Sequence, residues 1–216
     1  MKTYAPPSAR RRRRLGAVAA AAALALTPVA AANAATIISL DHDVSGSTYI
    51  KSTNSTVRLG PGTLHTDLDI DTGDFTGSLT LPGTRTRFAA LGLVPLEANI
   101  DFIPAGPVTG HINLAGENAE VSATAKFYVK LSNIKAIGLL PLWWFGGSTC
   151  RTVNPVSIPA NTPPGEGFDL INGGRLTGTY TIGQFQNCGL LTPFVNLLVP
   201  GAGNTVTLQA TNGRVS

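Results

Sequence analysis

Val121-Ser122-Ala123-Thr124-Ala125-Lys126-Phe127-Tyr128-Val129-Lys130-Leu131 alternates between apolar and polar residues without a break. Val121, Ala123, Ala125, Phe127, Val129 and Leu131 share one face, and Ser122, Thr124, Lys126, Tyr128 and Lys130 share the other. Successive side chains of a strand point to opposite faces, so period two over this length predicts a strand with one buried and one wet face. A helix would scatter the same residues around its axis.

Shorter runs repeat the pattern on either side. Leu64, Leu68 and Ile70 oppose His65, Asp67 and Asp69; Leu96, Ala98, Ile100 and Phe102 line one face of the next run. Leu176, Tyr180 and Ile182 face away from a row of threonines, and Val206, Leu208 and Ala210 continue the series. Breaks are expected at Gly60-Pro61-Gly62, Thr72-Gly73-Asp74 and Gly173-Gly174. Pro104-Ala105-Gly106-Pro107 and Gly116-Glu117-Asn118 separate three runs that read as an antiparallel meander. Eight to ten strands result. They must bury one apolar face each, which predicts an all-β domain, an antiparallel β-sandwich or a partly closed barrel. Thr76-Gly77, Thr109-Gly110 and Thr177-Gly178 each open such a run, at spacings too irregular for a solenoid.

One short helix is expected at Thr192–Val199. Thr192 suits its N-cap and Pro193 its first turn, Leu190, Leu191, Phe194, Val195, Leu197 and Leu198 form an apolar arc, and Pro200-Gly201 ends it. Such a helix must lie on the sheet or plug one mouth of a barrel. The proline-rich stretch Pro155–Gly167 reads as an extended surface loop.

Residues 1–34 have the layout of a secretory signal peptide: the basic block Arg10–Arg14, the apolar stretch Leu15–Leu26, and Ala32-Asn33-Ala34 before the cut. Twelve apolar residues fall well short of the roughly twenty that span a bilayer as a helix. Five arginines leave both the general and the twin-arginine routes open. Processing leaves residues 35–216 as a single all-β domain, long enough to bury roughly 70% of its unfolded surface. The formal charge of +4 belongs to the leader. It holds six of the sixteen basic residues and none of the twelve acids, so the remaining ten basic residues give a net −2. Scattered over the chain, they argue against nucleic-acid binding. The expected location is secreted, extracellular or cell-wall associated, with no transmembrane segment in the mature chain. Cys150 and Cys188, the two cysteines of an exported chain, are expected to pair.

Asp67, Asp69, Asp71 and Asp74 suggest a calcium loop, but an EF-hand needs Gly at the sixth position and a carboxylate at the twelfth, where Thr72 and Ser78 stand. Alternation puts three of them on a solvated strand face. His42, His65 and His111 lack zinc-site spacing and read as exposed structural histidines. No serine sits in a nucleophile elbow. The strongest binding candidate is the apolar stretch Gly138–Gly147. Its Leu142, Trp143, Trp144 and Phe145 form an aromatic lip, which Phe194 and Leu198 could face.

Leu79-Thr80-Leu81-Pro82, Phe102-Ile103-Pro104-Ala105-Gly106-Pro107-Val108-Thr109-Gly110, Leu176-Thr177-Gly178-Thr179-Tyr180-Thr181-Ile182 and Pro200-Gly201-Ala202-Gly203-Asn204-Thr205 resemble uncharacterised secreted proteins of actinobacteria. The similarity runs from Gly60 to Leu208. It implies an exported location and brings no activity, cofactor or catalytic residue. The expectation is a secreted, non-enzymatic binding domain that needs no cofactor and takes an apolar small molecule or envelope lipid. Two readings compete with it: a secreted hydrolase acting on envelope lipid or polymer through a triad on His65 or His111, and a calcium-dependent surface module on Asp67–Asp74. The oligomeric state is left open.

Overall fold

The computed structural model of the chain describes Met1 and residues 35–90, 94–115, 118–136 and 149–216. Among them are twelve strands: β1 (Ile37–Ile50), β2 (Ser55–Asp69), β3 (Asp74–Thr80), β4 (Thr84–Ala90), β5 (Val94–Pro104), β6 (Val108–Asn113), β7 (Glu120–Ala136), β8 (Arg151–Thr152), β9 (Val156–Asn161), β10 (Gly174–Ile182), β11 (Phe185–Gln186) and β12 (Gly201–Val215). One short helix, α1 (Thr192–Leu198), follows a single 3-10 turn at Gly189–Leu191. The architecture is a closed antiparallel barrel. Its eight strands run β7-β6-β3-β2-β1-β12-β10-β9, and β9 returns to β7 from Phe127↔Val156 to Ser122↔Asn161. Closure leaves the barrel no free edge.

β7 is the spine. Its first half belongs to the barrel, between β6 and β9, and its second half leaves the barrel to pair with β5 and β8. Both neighbours are interrupted at the level where β7 leaves. On one side Pro104↔Phe127 gives way to Thr109↔Thr124; on the other Lys130↔Arg151 gives way to Phe127↔Val156. Each neighbour spends five residues against three of β7. The expected meander is therefore wrong in one respect. β5 and β6 run end to end in the same direction, and Pro104–Pro107 is a bulge rather than a reversal. The amide of Ala105 still donates to the Lys126 carbonyl at 2.9 Å, which keeps the ladder nearly continuous. β4 and β5 on one side and β8 and β11 on the other extend the second half of β7 into a small sheet.

Two further expectations are corrected. Gly60-Pro61-Gly62 does not end a strand. It lies inside β2 as a bulge, with a cis Gly60–Pro61 bond and Gly60 at φ +80°, where the β1–β2 register slips between Val44 and Gly46. The stretch Pro155–Gly167 is not wholly a loop, because Val156–Asn161 is the barrel strand β9. Pro159 is tolerated there because β10 meets β9 in register only at Thr177↔Asn161.

The apolar alternation of β7 is borne out: all six inward residues from Val121 to Leu131 are buried. The disulfide is also present, joining Cys150 before β8 to Cys188 after β11, both buried. α1 buries Val195 and Leu198, but Leu190 and Leu197 are 79% and 73% exposed, so the apolar face is narrower than the sequence arc. Thr192 does not cap the helix. Its hydroxyl donates back to the Gly189 carbonyl, and the N-cap position is Leu191. Asn196, which is not part of the apolar arc, docks the helix. Its Oδ1 accepts the Phe185 amide at 2.7 Å, and its Nδ2 donates to the Phe185 carbonyl at 2.9 Å. No helix among the described residues is long and apolar enough to cross a membrane.

Candidate functional site in the barrel interior

Every barrel strand sends alternate side chains inward. Alanines hold several of those positions, among them Ala123 and Ala125 on β7, Ala160 on β9 and Ala210 on β12. Small residues facing one another leave space, and the interior contains a cavity of about 100 Å³. Its wall is aliphatic and aromatic except for His42, Thr48, Thr66 and Tyr180.

Three of these polar groups are satisfied within the protein. The Thr48 hydroxyl donates to the Thr205 carbonyl at 2.8 Å and lies 2.6 Å from the Tyr180 hydroxyl. One hydroxyl proton serves one acceptor, so Tyr180 is the donor to Thr48. Burial raises the Tyr180 phenol above its ordinary value. The Thr66 hydroxyl donates to the Leu40 carbonyl at 3.3 Å.

His42 differs. Leu40, His42 and Val44 form the inward series of β1, so the imidazole is only 3% exposed rather than solvated as the sequence reading expects. Its Nε2 lies 3.0 Å from the Leu170 carbonyl, which can only accept, so Nε2 carries the proton. Nδ1 is left as a bare acceptor, buried and without a partner among the described residues. Desolvation lowers the pKa of His42, partly opposed by the hydrogen bond to Leu170. The ring of Phe168 lies 5.7 Å away, tilted by 56°.

Leu170 and Phe168 belong to the segment Thr162–Gly173, which lies across one end of the barrel and contributes both side chains to the cavity wall. The segment is pinned at several points. Val121 and Thr162 bond reciprocally, the Phe168 amide donates to the Ala119 carbonyl, and the Gly213 amide donates to the Ile171 carbonyl. Asp169 closes its tip by accepting the amides of Ile171 and Asn172, which hold its carboxyl below the ordinary value. Glu166 pairs with Arg175 at the start of β10.

The other sequence candidates lie elsewhere. Leu142, Trp143, Trp144 and Phe145 fall outside the described residues. Phe194 and Leu198 pack beside Phe88, Leu96, Leu131 and Ile134 around a crevice of about 10 Å³, well away from the barrel cavity in lining and in strands. Asp67 accepts the Ser39 hydroxyl, Asp69 accepts the amides of Asp71 and Thr72, Asp71 accepts the Thr36 amide, and Asp74 bonds His111. Each carboxylate thus has its own local partner. Among the described residues no three His, Cys, Asp or Glu groups converge as a metal site would require.

His65 is half-buried and His111 exposed, and both are paired, Nδ1 of His65 with Asp41 at 2.7 Å and Nδ1 of His111 with Asp74 at 3.0 Å. Each also has a serine opposite on the next strand, Ser78 and Ser122. No hydrogen bond joins a serine to a histidine among the described residues; the second nitrogen of His65 lies 3.7 Å from Asp67 instead.

Sequence reasoning missed the cavity and His42. The signal for His42 was present in the alternation Leu40-His42-Val44, masked by the flanking aspartates Asp41 and Asp43. No protein-family model, no curated protein and no solved structure matches the chain.

Proposed function

We propose that the chain is an exported, non-enzymatic binding protein that carries a small apolar molecule inside its barrel. The observation that supports this reading is the cavity of about 100 Å³ with its almost wholly apolar wall. Eight-stranded barrels have interiors just wide enough to be filled by side chains or to hold one small ligand, and the inward alanines favour the second outcome here. An apolar cavity of about 150 Å³ in another protein admits benzene, so this one suits a molecule of about four to six heavy atoms. The leader layout and the disulfide support export and a place outside the cell or in its wall.

The test is to titrate xenon and pentane into the processed chain, residues 35–216, and follow the methyl NMR signals of Val44, Leu176 and Leu208. Saturable shifts at these methyls, lost in Ala125→Leu with the fold retained, are the expected result. Absence of any saturable shift in the unaltered protein would falsify the reading.

A further inference from the structure

We infer that the occupant of the barrel carries a hydroxyl group, which donates its proton to Nδ1 of His42; this rests on the barrel interior being the binding site. Among the described residues, Nδ1 of His42 is the one polar atom of the wall with no hydrogen-bond partner, whereas Thr48, Thr66 and Tyr180 each have one. That atom is an acceptor. The Leu170 carbonyl has no proton to give, so it fixes the imidazole proton on Nε2 and leaves a lone pair on Nδ1. A buried acceptor left unpaired carries a desolvation cost that a ligand donor removes. A hydrocarbon cannot supply that donor.

A carboxylate is also a poor match. Among the described residues no lysine or arginine lines the cavity. The cation whose charge acts on His42 is Arg214, and its guanidinium is engaged by Asp43 at 3.1 Å. An anion inside would be buried unpaired unless it drew a proton onto an imidazole that burial keeps neutral. A neutral alcohol with a short apolar tail satisfies Nδ1 and fills the rest of the wall without placing a charge in the barrel. The position of His42 also gives the ligand a direction. The hydroxyl lies toward the end crossed by Thr162–Gly173, under Phe168 and Leu170, and the tail points along β1 toward Thr48 and Tyr180.

The test compares 1-pentanol, pentane and butanoate on the processed chain at pH 7, read by methyl NMR and by the imidazole nitrogen resonances of His42. Pentanol should bind at least as tightly as pentane and shift the Nδ1 resonance. In His42→Leu the ratio of pentanol to pentane affinity should fall about tenfold or more. Pentane binding with pentanol excluded, or pentanol binding without a change at Nδ1, overturns the hydroxyl assignment while leaving the apolar site standing. Butanoate binding in preference, and more tightly as pH falls, overturns it in favour of an acid. Failure of all three to bind removes the site itself. If His42→Leu does not fold, the Nδ1 resonance of the unaltered protein still decides.

Discussion

His42 couples the interior of the barrel to pH. Folding buries the imidazole and lowers its affinity for a proton below the ordinary value of 6.5. Below that pH the unfolded chain takes up a proton that the folded chain declines, so acid favours unfolding. The stability tied to His42 is fully present above about pH 6.5 and is lost as pH falls, at no more than about 1.4 kcal/mol per unit. Urea melts at pH 7.5, 6.5 and 5.5 should show that decline. His42→Leu should flatten it over the same window, even if its stability is lower throughout. A second, lower window belongs to Glu97. Hydrogen bonds from Lys135 at 2.9 Å and Arg87 at 3.1 Å, with Arg85 at 3.7 Å, hold its carboxyl below the ordinary carboxylate value. Its contribution is therefore present above that value and lost only in more acidic solution. Glu97→Gln should remove the sensitivity of the unfolding midpoint in that lower range and lower stability at neutral pH, because three cations lose their counter-charge. Little of this was legible in the sequence. Alternation placed Glu97 opposite Leu96 and Ala98, but cross-strand partners from β4 and β7 depend on register, which composition does not carry.

At the scale of elements, the Thr-Gly openings of three strands have a shared steric cause. A Cβ at Gly77 would fall on the His65 carbonyl oxygen, one at Gly110 on the Phe75 ring and the Ser122 carbonyl, and one at Gly178 on the Pro159 carbonyl oxygen. These glycines let neighbouring strands cross closely, as tight curvature in a small barrel demands. Gly178 matters most, because it stands where β10 passes β9 with a single residue pair in register. Gly178→Ala should cost about 2–3 kcal/mol by overpacking, which for a domain of this size lowers Tm by about 4–12 °C in a thermal melt. No left-handed backbone conformation is involved at Gly178, so the loss would measure strand approach alone. α1 offers a second test. Asn196 acts toward Phe185 as a strand partner would, accepting its amide and donating to its carbonyl. Asn196→Ala should cost about 2 kcal/mol in a chemical melt, and Asn196→Asp should recover only the half that accepts. The helix itself was legible from Pro193 and Pro200-Gly201, and β7 from its period. The docking face of α1 was not, because its apolar residues outnumber what two turns can bury. The end-to-end pairing of β5 with β6 was likewise hidden. Pro-Ala-Gly-Pro reads as a reversal in sequence, and only the ladder along β7 shows that the chain runs on.

For the whole molecule, alternation announces strands and an apolar interior but not how the sheet closes, since a sandwich and a barrel use the same pattern. Closure here depends on β9, the strand that the prolines disguise, and on its register against β7. That strand lies inside the ring closed by Cys150 and Cys188, together with β8, β10, β11 and the Thr162–Gly173 segment over the cavity. The disulfide therefore ties two adjacent barrel strands and one end of the barrel to the small sheet on the second half of β7. Chain entropy puts the benefit of such a link, 38 residues apart, at about 4 kcal/mol. The double variant Cys150→Ala/Cys188→Ala should lose about that much in urea unfolding. Its losses should also be uneven. Amides of β9 and their β7 partners from Ser122 to Phe127 should exchange with solvent far faster than those of β1 and β2, whose strand partners all lie outside the ring. If protection instead falls equally in all strands, the barrel closes and opens as one cooperative unit, and the bridge acts only on the unfolded chain. If it falls at β9 alone, the bridge holds shut the seam that makes this sheet a barrel.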